Sequence, residues 1–538
     1  MPAAHVIGEG TVPLIDETIG NDLARVAALH PGRDAVVDVQ RQVRLDYADF
    51  QAEVDRLARA LLAAGITHGD RVGVWSTNRA ESVVAQFGIA SIGAVMVGIN
   101  PAYRAAELGY VVRHADIALV LSAQGHRGSD YEKVLQGAQS EGWRGRYVLL
   151  DTEQWHAFLQ AGDTVDGPRL KEAKARVAPS DPFCLQYTSG TTGSPKGAII
   201  SHHSALNNGR FAGRGLRFTE HDRLCACLPF FHAFGIVSTQ LACITHGAAI
   251  VISGATFNAS EVLQAIEQER CTALHGVPTM FIELLNHPEL DRHDLRSLRT
   301  GIMGGSPCPI EVVHAAAERM HLSELTIGFG MSELSSLTTQ TSPEDPPERK
   351  VATVGRILPY LEARVVDPQG TVLDTDEVGE LVVRGYTRMQ AYWADPEKTV
   401  EAIDAEGWLH TGDLATISDD GYVSIVGRLK DMVCRGGENI YPREVEEVIY
   451  TLDGVIDVQV VGVPDAKYGE EVLAAVRVAS GSALDVQAVR EHCRENLAYF
   501  KVPRYVVFVD DFPTTASGKV RKGELRQALL TRLDGAGS

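Results

Sequence analysis

Short apolar runs rich in β-branched residues alternate with longer amphipathic stretches through the first part of the chain. "RVGVWS", "VMVGIN", "IALVLSA" and "RYVLLD" are followed by "FCLQYTS", "GAIISH", "RLCACLP" and "AAIVISG". That alternation predicts α/β architecture with mostly parallel strands. The uncharged run "SVVAQFGIASIGAVMVGIN", residues 82–100, reaches membrane-spanning length. Gln86, Ser91 and its glycines make it a poor span, so it is read as a helix running into a buried strand. "PEDPPERK", 343–350, reads as a surface loop. Beyond it the strands crowd together ("EARVVD", "GELVVRG", "WLHTGDLATI", "GYVSIVG"), predicting a small antiparallel or barrel-like subdomain. After "GRLKD" comes a fresh α+β set: helix 442–452, strands "VIDVQVVGV" and "LAAVRVA", helix 485–497 and strand "YVVFVD". The division expected is 1–427, a hinge at 428–431, and 432–538.

A chain of 538 residues is too long for one ordinary core and needs at least two folding units. A hydrophobic share of 45% and a charged share of 22% are those of a soluble globular protein, so no transmembrane segment is expected. The net charge of −20 argues against a nucleic-acid partner. The eight cysteines are scattered without C-x-x-C spacing, which fits a reducing, cytoplasmic setting. The opening residues carry neither the basic start nor the apolar core of a signal peptide.

Against this background five segments stand out. "YTSGTTGSPKG", 187–197, lies between two apolar runs and holds one lysine among glycines and hydroxyls. Such a loop can fold amides around phosphate oxygens while Lys196 adds a point charge. Its spacing is not that of the common P-loop. "GFGMSE" ends in Glu333, a carboxylate after a tight glycine turn, suited to Mg²⁺. "WLHTGDLA" carries Asp413, suited to a ribose diol. "GRLKDMVCRGGENIYPREVEEV", 427–448, sets basic residues and a glycine pair at the expected boundary, and "PTTASGKVRKGELR" places Lys519 near the C-terminus. Taken singly, each is as well explained by a loop, a turn or a surface charge.

Together, in this order, these segments resemble the acyl-adenylate-forming superfamily of acyl-CoA synthetases, adenylation domains and luciferases, and the likeness spans nearly the whole chain. "LPFFHAFGI", "HGVPTMF", "RGYTRMQAYW" and "GENIYPREVE" are most similar to medium-chain and related fatty acyl-CoA synthetases. The departures are mild: Phe329 stands where tyrosine is usual, Ser332 replaces threonine, and Ala391 replaces glycine.

The resemblance implies a large N-terminal domain and a small mobile C-terminal one. It implies ATP, Mg²⁺ and coenzyme A as cofactor and co-substrates, and a small carboxylic acid as substrate. Thr188, Ser189, Gly190, Thr191, Thr192, Gly193, Ser194, Pro195 and Lys196 would cradle the β- and γ-phosphates. Ser332 would touch the α-phosphate, Glu333 would hold the metal, and Gly304, Gly305, Ser306, Phe329 and Gly330 would lie along the nucleotide. Asp413 and Arg428 would bind ribose, and Lys519 would bridge carboxylate and α-phosphate. Lys430 would be the hinge, and Gly436 and Gly437 would face the pantetheine arm. The expected acyl pocket is His232, Phe234, Val237, Val277, Met280 and Gly330. Relatives specific for acetate carry a tryptophan where Gly330 stands, so its bare hydrogen is expected to leave room for several carbons. "LPFFHAFGIVSTQ" has no acidic residue to pair with an ammonium, which argues against α-amino acids. The leading expectation is an acyl-CoA ligase for a medium-chain, branched or aryl acid. The alternatives are loading of a carrier protein and, from another class, a non-catalytic nucleotide-binding protein. A homodimer is compatible with all three.

Overall fold

The computed structural model describes residues 3–188, 195–436, 438–465, 467–479, 481–515 and 520–536. The chain packs into two compact units, one formed by 7–362 with 383–409, the other by 1–6, 363–382 and 410–538. Residues 410–427 therefore pack with the C-terminal segment, where the sequence had placed them with the N-terminal one.

Two large sheets are described in the larger unit, beside the short hairpin Gly125–His126 with Ser129–Asp130. One has six strands in the order Lys196–Ser201, Pro182–Thr188, Val95–Ile99, Arg71–Trp75, Ile117–Ser122, Arg146–Leu149. Four of its five pairings are parallel, and the Lys196–Ser201 edge is antiparallel. Val95–Ile99 is buried throughout, as expected of a parallel strand covered on both faces. It follows the helix Ala80–Ser91, itself buried almost all round, so the 82–100 run is a core helix and a core strand. The second sheet has nine strands, with Glu324–Phe329 beside Thr300–Gly304 and both parallel. The predicted "RLCACLP" strand is Arg223–Ala226, and Cys225 and Cys227 are fully buried. Seven of the described cysteines are buried thiols and Cys434 is exposed.

The "PEDPPERK" expectation needs correction. Pro347–Ala352 is a helix, and Lys350 is 4% exposed with its ammonium donating to the Pro343 carbonyl at 3.0 Å. Burial lowers its pKa. The long apolar stem is packed away while its tip caps the preceding turn, which a reading of polarity alone misses.

The smaller unit is built on a five-stranded sheet that includes Leu409–Ile417 and its antiparallel partner Val423–Arg428. A second sheet holds Val455–Asp465, Gly469–Val478 and Tyr505–Phe508, flanked by the helices Pro442–Tyr450 and Val486–Asn496. These match the C-terminal elements expected from the sequence.

Candidate active site

In the larger unit the strands Pro182–Thr188 and Lys196–Ser201 pair antiparallel, and Thr188 stands opposite Lys196. The chain runs on from Lys196 as a strand, with no helix before Ser201. Ser189, Gly190, Thr191, Thr192, Gly193 and Ser194 lie outside the described residues. Thr188 Oγ1 donates to Glu333 Oε1 at 3.2 Å. Tyr392 Oη donates to the same oxygen at 2.9 Å. Lys196 Nζ lies 5.0 Å from the centre of the Tyr392 ring, a cation–π contact. Glu333 is 8% exposed, as is Ser332. The structure therefore gathers Thr188, Lys196, Ser332 and Glu333, and adds Tyr392, which the sequence reading passed over.

Glu333 is held in this place by a short 3-10 turn, Ser332–Leu334, closed by Ser335 at φ +68°. Its carbonyl accepts from Met389 N–H at 2.8 Å, and Ser335 Oγ donates to Thr387 O at 2.6 Å. Among the described residues, both side-chain hydrogen bonds fall on Oε1. Among the described residues no group of three or more His, Cys, Asp or Glu side chains converges as a metal cage. A lone carboxylate suits Mg²⁺, which keeps waters and takes its other ligands from phosphate.

Gly304 and Phe329 end adjacent parallel strands, with Gly304 opposite Gly328. Gly305 turns there at φ +91°, and Ser306 is exposed. Ligands of open α/β sheets bind beyond such carboxyl ends. A side chain on Gly304 would have its first carbon 2.5 Å from Gly328 O, so the close approach of the strands requires glycine.

Gly330 does not do what was expected of it. A first side-chain carbon there would stand 1.6 Å from the Ser336 carbonyl oxygen and 2.9 Å from Leu337 Cα. The hydrogen faces backbone, so Gly330 allows a chain crossing, and a tryptophan cannot replace it on this backbone. Other expected acyl-pocket residues do come together. Val277 and Met280 are buried in one cluster with Cys227 and Leu228, and Phe234 packs on it. The Phe234 ring stacks on His275 at 5.8 Å. Val237 shares with Phe234 an eight-residue π-helix, Phe234–Leu241. That rare form is fixed by Thr239 Oγ1 donating to Phe234 O at 3.0 Å and is frequent at functional sites. His232 Nδ1 accepts from Phe234 N–H at 3.2 Å.

In the smaller unit Asp413 and Arg428 are cross-strand partners, and Arg428 Nε donates to Asp413 Oδ1 at 3.0 Å. Asp413 is 3% exposed and follows Gly412 at φ +69°. Gly412 N–H donates to Glu380 at 3.0 Å, which sets the turn. Lys430 lies in the exposed 3-10 turn Leu429–Asp431. Gly436, at φ +60°, donates its N–H to Tyr468 O at 2.8 Å. Gly437 and Lys519 lie outside the described residues.

The AMP-binding enzyme model matches residues 23–393, and that for the AMP-binding enzyme C-terminal domain matches 444–519. The chain belongs to the AMP-binding enzyme family. Within the family it is 43% identical to the Bacillus subtilis (strain 168) protein YngI, which bears the name of an acyl-CoA synthetase, over 96% of this chain and 98% of that one. It is 37% identical to the mitochondrial medium-chain acyl-CoA ligase ACSF2 of Danio rerio, over 98% and 91%. Its fold matches that of ATP-bound MatB from Rhodopseudomonas palustris with a TM-score of 0.82 at 28% identity, over 96% of this chain and 99% of MatB. This family member is an enzyme with the two-part architecture of adenylate-forming proteins.

Proposed function

We propose that the protein is an ATP-dependent, AMP-forming acyl-CoA synthetase acting on medium-chain, branched or aryl carboxylic acids. One observation carries the reading: likeness to proteins named as acyl-CoA synthetases and ligases extends over 96–98% of the chain, so it embraces the segments assigned to both half-reactions. In the first half the acid's carboxylate attacks the α-phosphorus of ATP and pyrophosphate leaves, giving acyl-AMP. In the second, the coenzyme A thiol attacks the acyl carbonyl and AMP leaves.

The acid is already ionised at neutral pH, with a pKa near ~4, so the first half needs no general base. Its obstacle is bringing an anion onto a polyanion, which calls for cations and fixed donors. Lys196 and the 188–195 loop take the outer phosphates, Ser332 the α-phosphate, and Lys519 the two reacting anions. Asp413 and Arg428 take the ribose, and Gly304–Ser306 with Phe329 flank the base. Glu333 would hold Mg²⁺, which when bound would supply charge neutralisation on the phosphates. For the cycle we assign a functional division at 428–431. Turning about Lys430 withdraws Lys519 and brings Gly436 and Gly437 to the pantetheine arm. His232, Phe234, Val237, Val277 and Met280 form the acyl side. A cytoplasmic setting follows the bacterial relative, although ACSF2 is mitochondrial. Among the described residues no helix is long and apolar enough to cross a membrane.

A panel of acids from acetate to about ten carbons, with aryl acids, tests the reading when pyrophosphate is followed with MgATP, with and without coenzyme A. Pyrophosphate with acid alone and thioester on adding coenzyme A are expected, with acetate poor. Each added buried methylene is worth about 0.8 kcal/mol, so four favour the longer acid roughly a hundredfold. Adenylation without any coenzyme A thioester would transfer the second half to a carrier protein. No pyrophosphate with any acid would leave a non-catalytic nucleotide-binding protein.

A further inference from the structure

Tyr392 lies in "RGYTRMQAYW", one of the segments that carry the family likeness, where the sequence assigns it no role, yet its hydroxyl and ring meet two of the groups assigned to ATP. It stands on a segment that extends the sheet edge. Ile199 N–H donates to Ala391 O and Gln390 N–H to Ile199 O, each at 2.9 Å, and Trp393 N–H donates to Gly197 O at 2.7 Å. Tyr392 N–H is itself taken by Thr399 Oγ1 at 2.9 Å. The same segment grips the metal-side turn through Met389 N–H and Glu333 O at 2.8 Å. With its backbone fixed from both sides, the side chain is 9% exposed, its hydroxyl on Glu333 Oε1 and its ring beneath Lys196.

We propose that Tyr392 is a positioning residue for nucleotide binding, orienting the Glu333 carboxylate beside the Lys196 ammonium so that Oε2 is presented to the metal of MgATP. The inference rests on the reading of Glu333 as the metal-holding group. A carboxylate on a free rotor would swing toward Lys196 and cancel the charge that phosphate needs. Two donors on Oε1, Thr188 and Tyr392, hold it instead. Outer donors of this kind orient a metal-binding side chain and set its affinity.

The test is equilibrium binding of α,β-methylene-ATP to the full chain, measured calorimetrically with Mg²⁺ and with EDTA. Tyr392→Phe keeps the ring and removes the donated proton. It is expected to shrink the gain in affinity conferred by Mg²⁺ by about tenfold, on the scale of other metal-orienting donors. Binding in EDTA should stay within twofold. In a Glu333→Gln background the same substitution should have no further effect on the Mg²⁺ gain, a cycle that cancels general loss of stability. Equal weakening in both arms, or an undiminished Mg²⁺ gain in Tyr392→Phe, would overturn the positioning role alone. A wild-type protein that gains nothing from Mg²⁺ would overturn the assignment of Glu333, and the inference with it.

Discussion

Single atoms decide what several of these positions can accept. At Gly330 a methyl group would lie 1.6 Å from the Ser336 carbonyl oxygen, and Ser336 itself sits at φ +155°. The glycine is there because two backbone segments cross. Gly330→Ala should therefore lower stability by about 2–3 kcal/mol, as overpacking against unyielding backbone does. A urea midpoint equal to wild type would show that the crossing can relax. Lys519 makes a chemical prediction of another kind. Lys519→Ala should abolish pyrophosphate release from acid and MgATP yet spare thioester formation from supplied acyl-AMP, because two anions meet only in the first half. Equal loss in both assays would mark the residue as structural. The residue types were legible in the sequence because chemistry demands them: a lysine among glycines, a carboxylate after a turn. The partner of that carboxylate was not, since Tyr392 lies 59 residues away and no local pattern links the two.

At the level of elements, the short turn Leu429–Asp431 joins the strand Val423–Arg428 to the strand Val433–Arg435. Next to it, Arg443 of the helix Pro442–Tyr450 donates to the Ile425 carbonyl, so the helix is pinned to the strand before the turn. A swing about Lys430 has to break that contact and change backbone angles within the turn. Lys430→Pro, which fixes φ, should leave pyrophosphate release near wild type and cut thioester formation at least tenfold. Unchanged thioester formation would remove Lys430 from the hinge. Strands and helices of the C-terminal set were readable from period and length. The π-helix Phe234–Leu241 was not, because it depends on fit. Gly235 lets the turn press on the Pro229 carbonyl, to which a side-chain carbon would approach within 2.1 Å.

For the molecule as a whole, three histidines of the larger unit, two buried and one half-buried, set a limit in acid. His202, His246 and His275 are each held down to about 4, chiefly by burial. His275 shows why: its Nε2 faces the Ser238 carbonyl and its Nδ1 accepts from Ile302 N–H, both at 3.1 Å, so a second proton has no place. The ordinary value in an unfolded chain is near ~6.5. The unfolded state thus takes up protons first as pH falls, and the stability each histidine contributes above about 6.5 is lost between there and about 4. That loss is roughly 3 kcal/mol per histidine. Thermal unfolding between pH 7 and 4.5 should fall steeply. His202→Asn, which keeps an acceptor for Ile19 N–H at 3.3 Å in the parent, should make the slope shallower by about one proton. A slope unaltered by the substitution would show that carboxylates dominate acid unfolding.

The α/β class, the order of most elements and the residue types at each motif were legible in the sequence alone. Periodicity, glycine turns and charged groups are written locally, and a nearly complete set of family segments restricts the architecture to one. The tertiary structure decided which side chains share an atom, where a glycine hydrogen points, and which polar groups are buried. Lys350, Gly330 and Tyr392 each turned on a contact made by residues distant in the chain or by backbone. Such contacts are fixed by close packing, in which displacements of an ångström decide between a pocket and a wall, and the one-dimensional pattern does not record them.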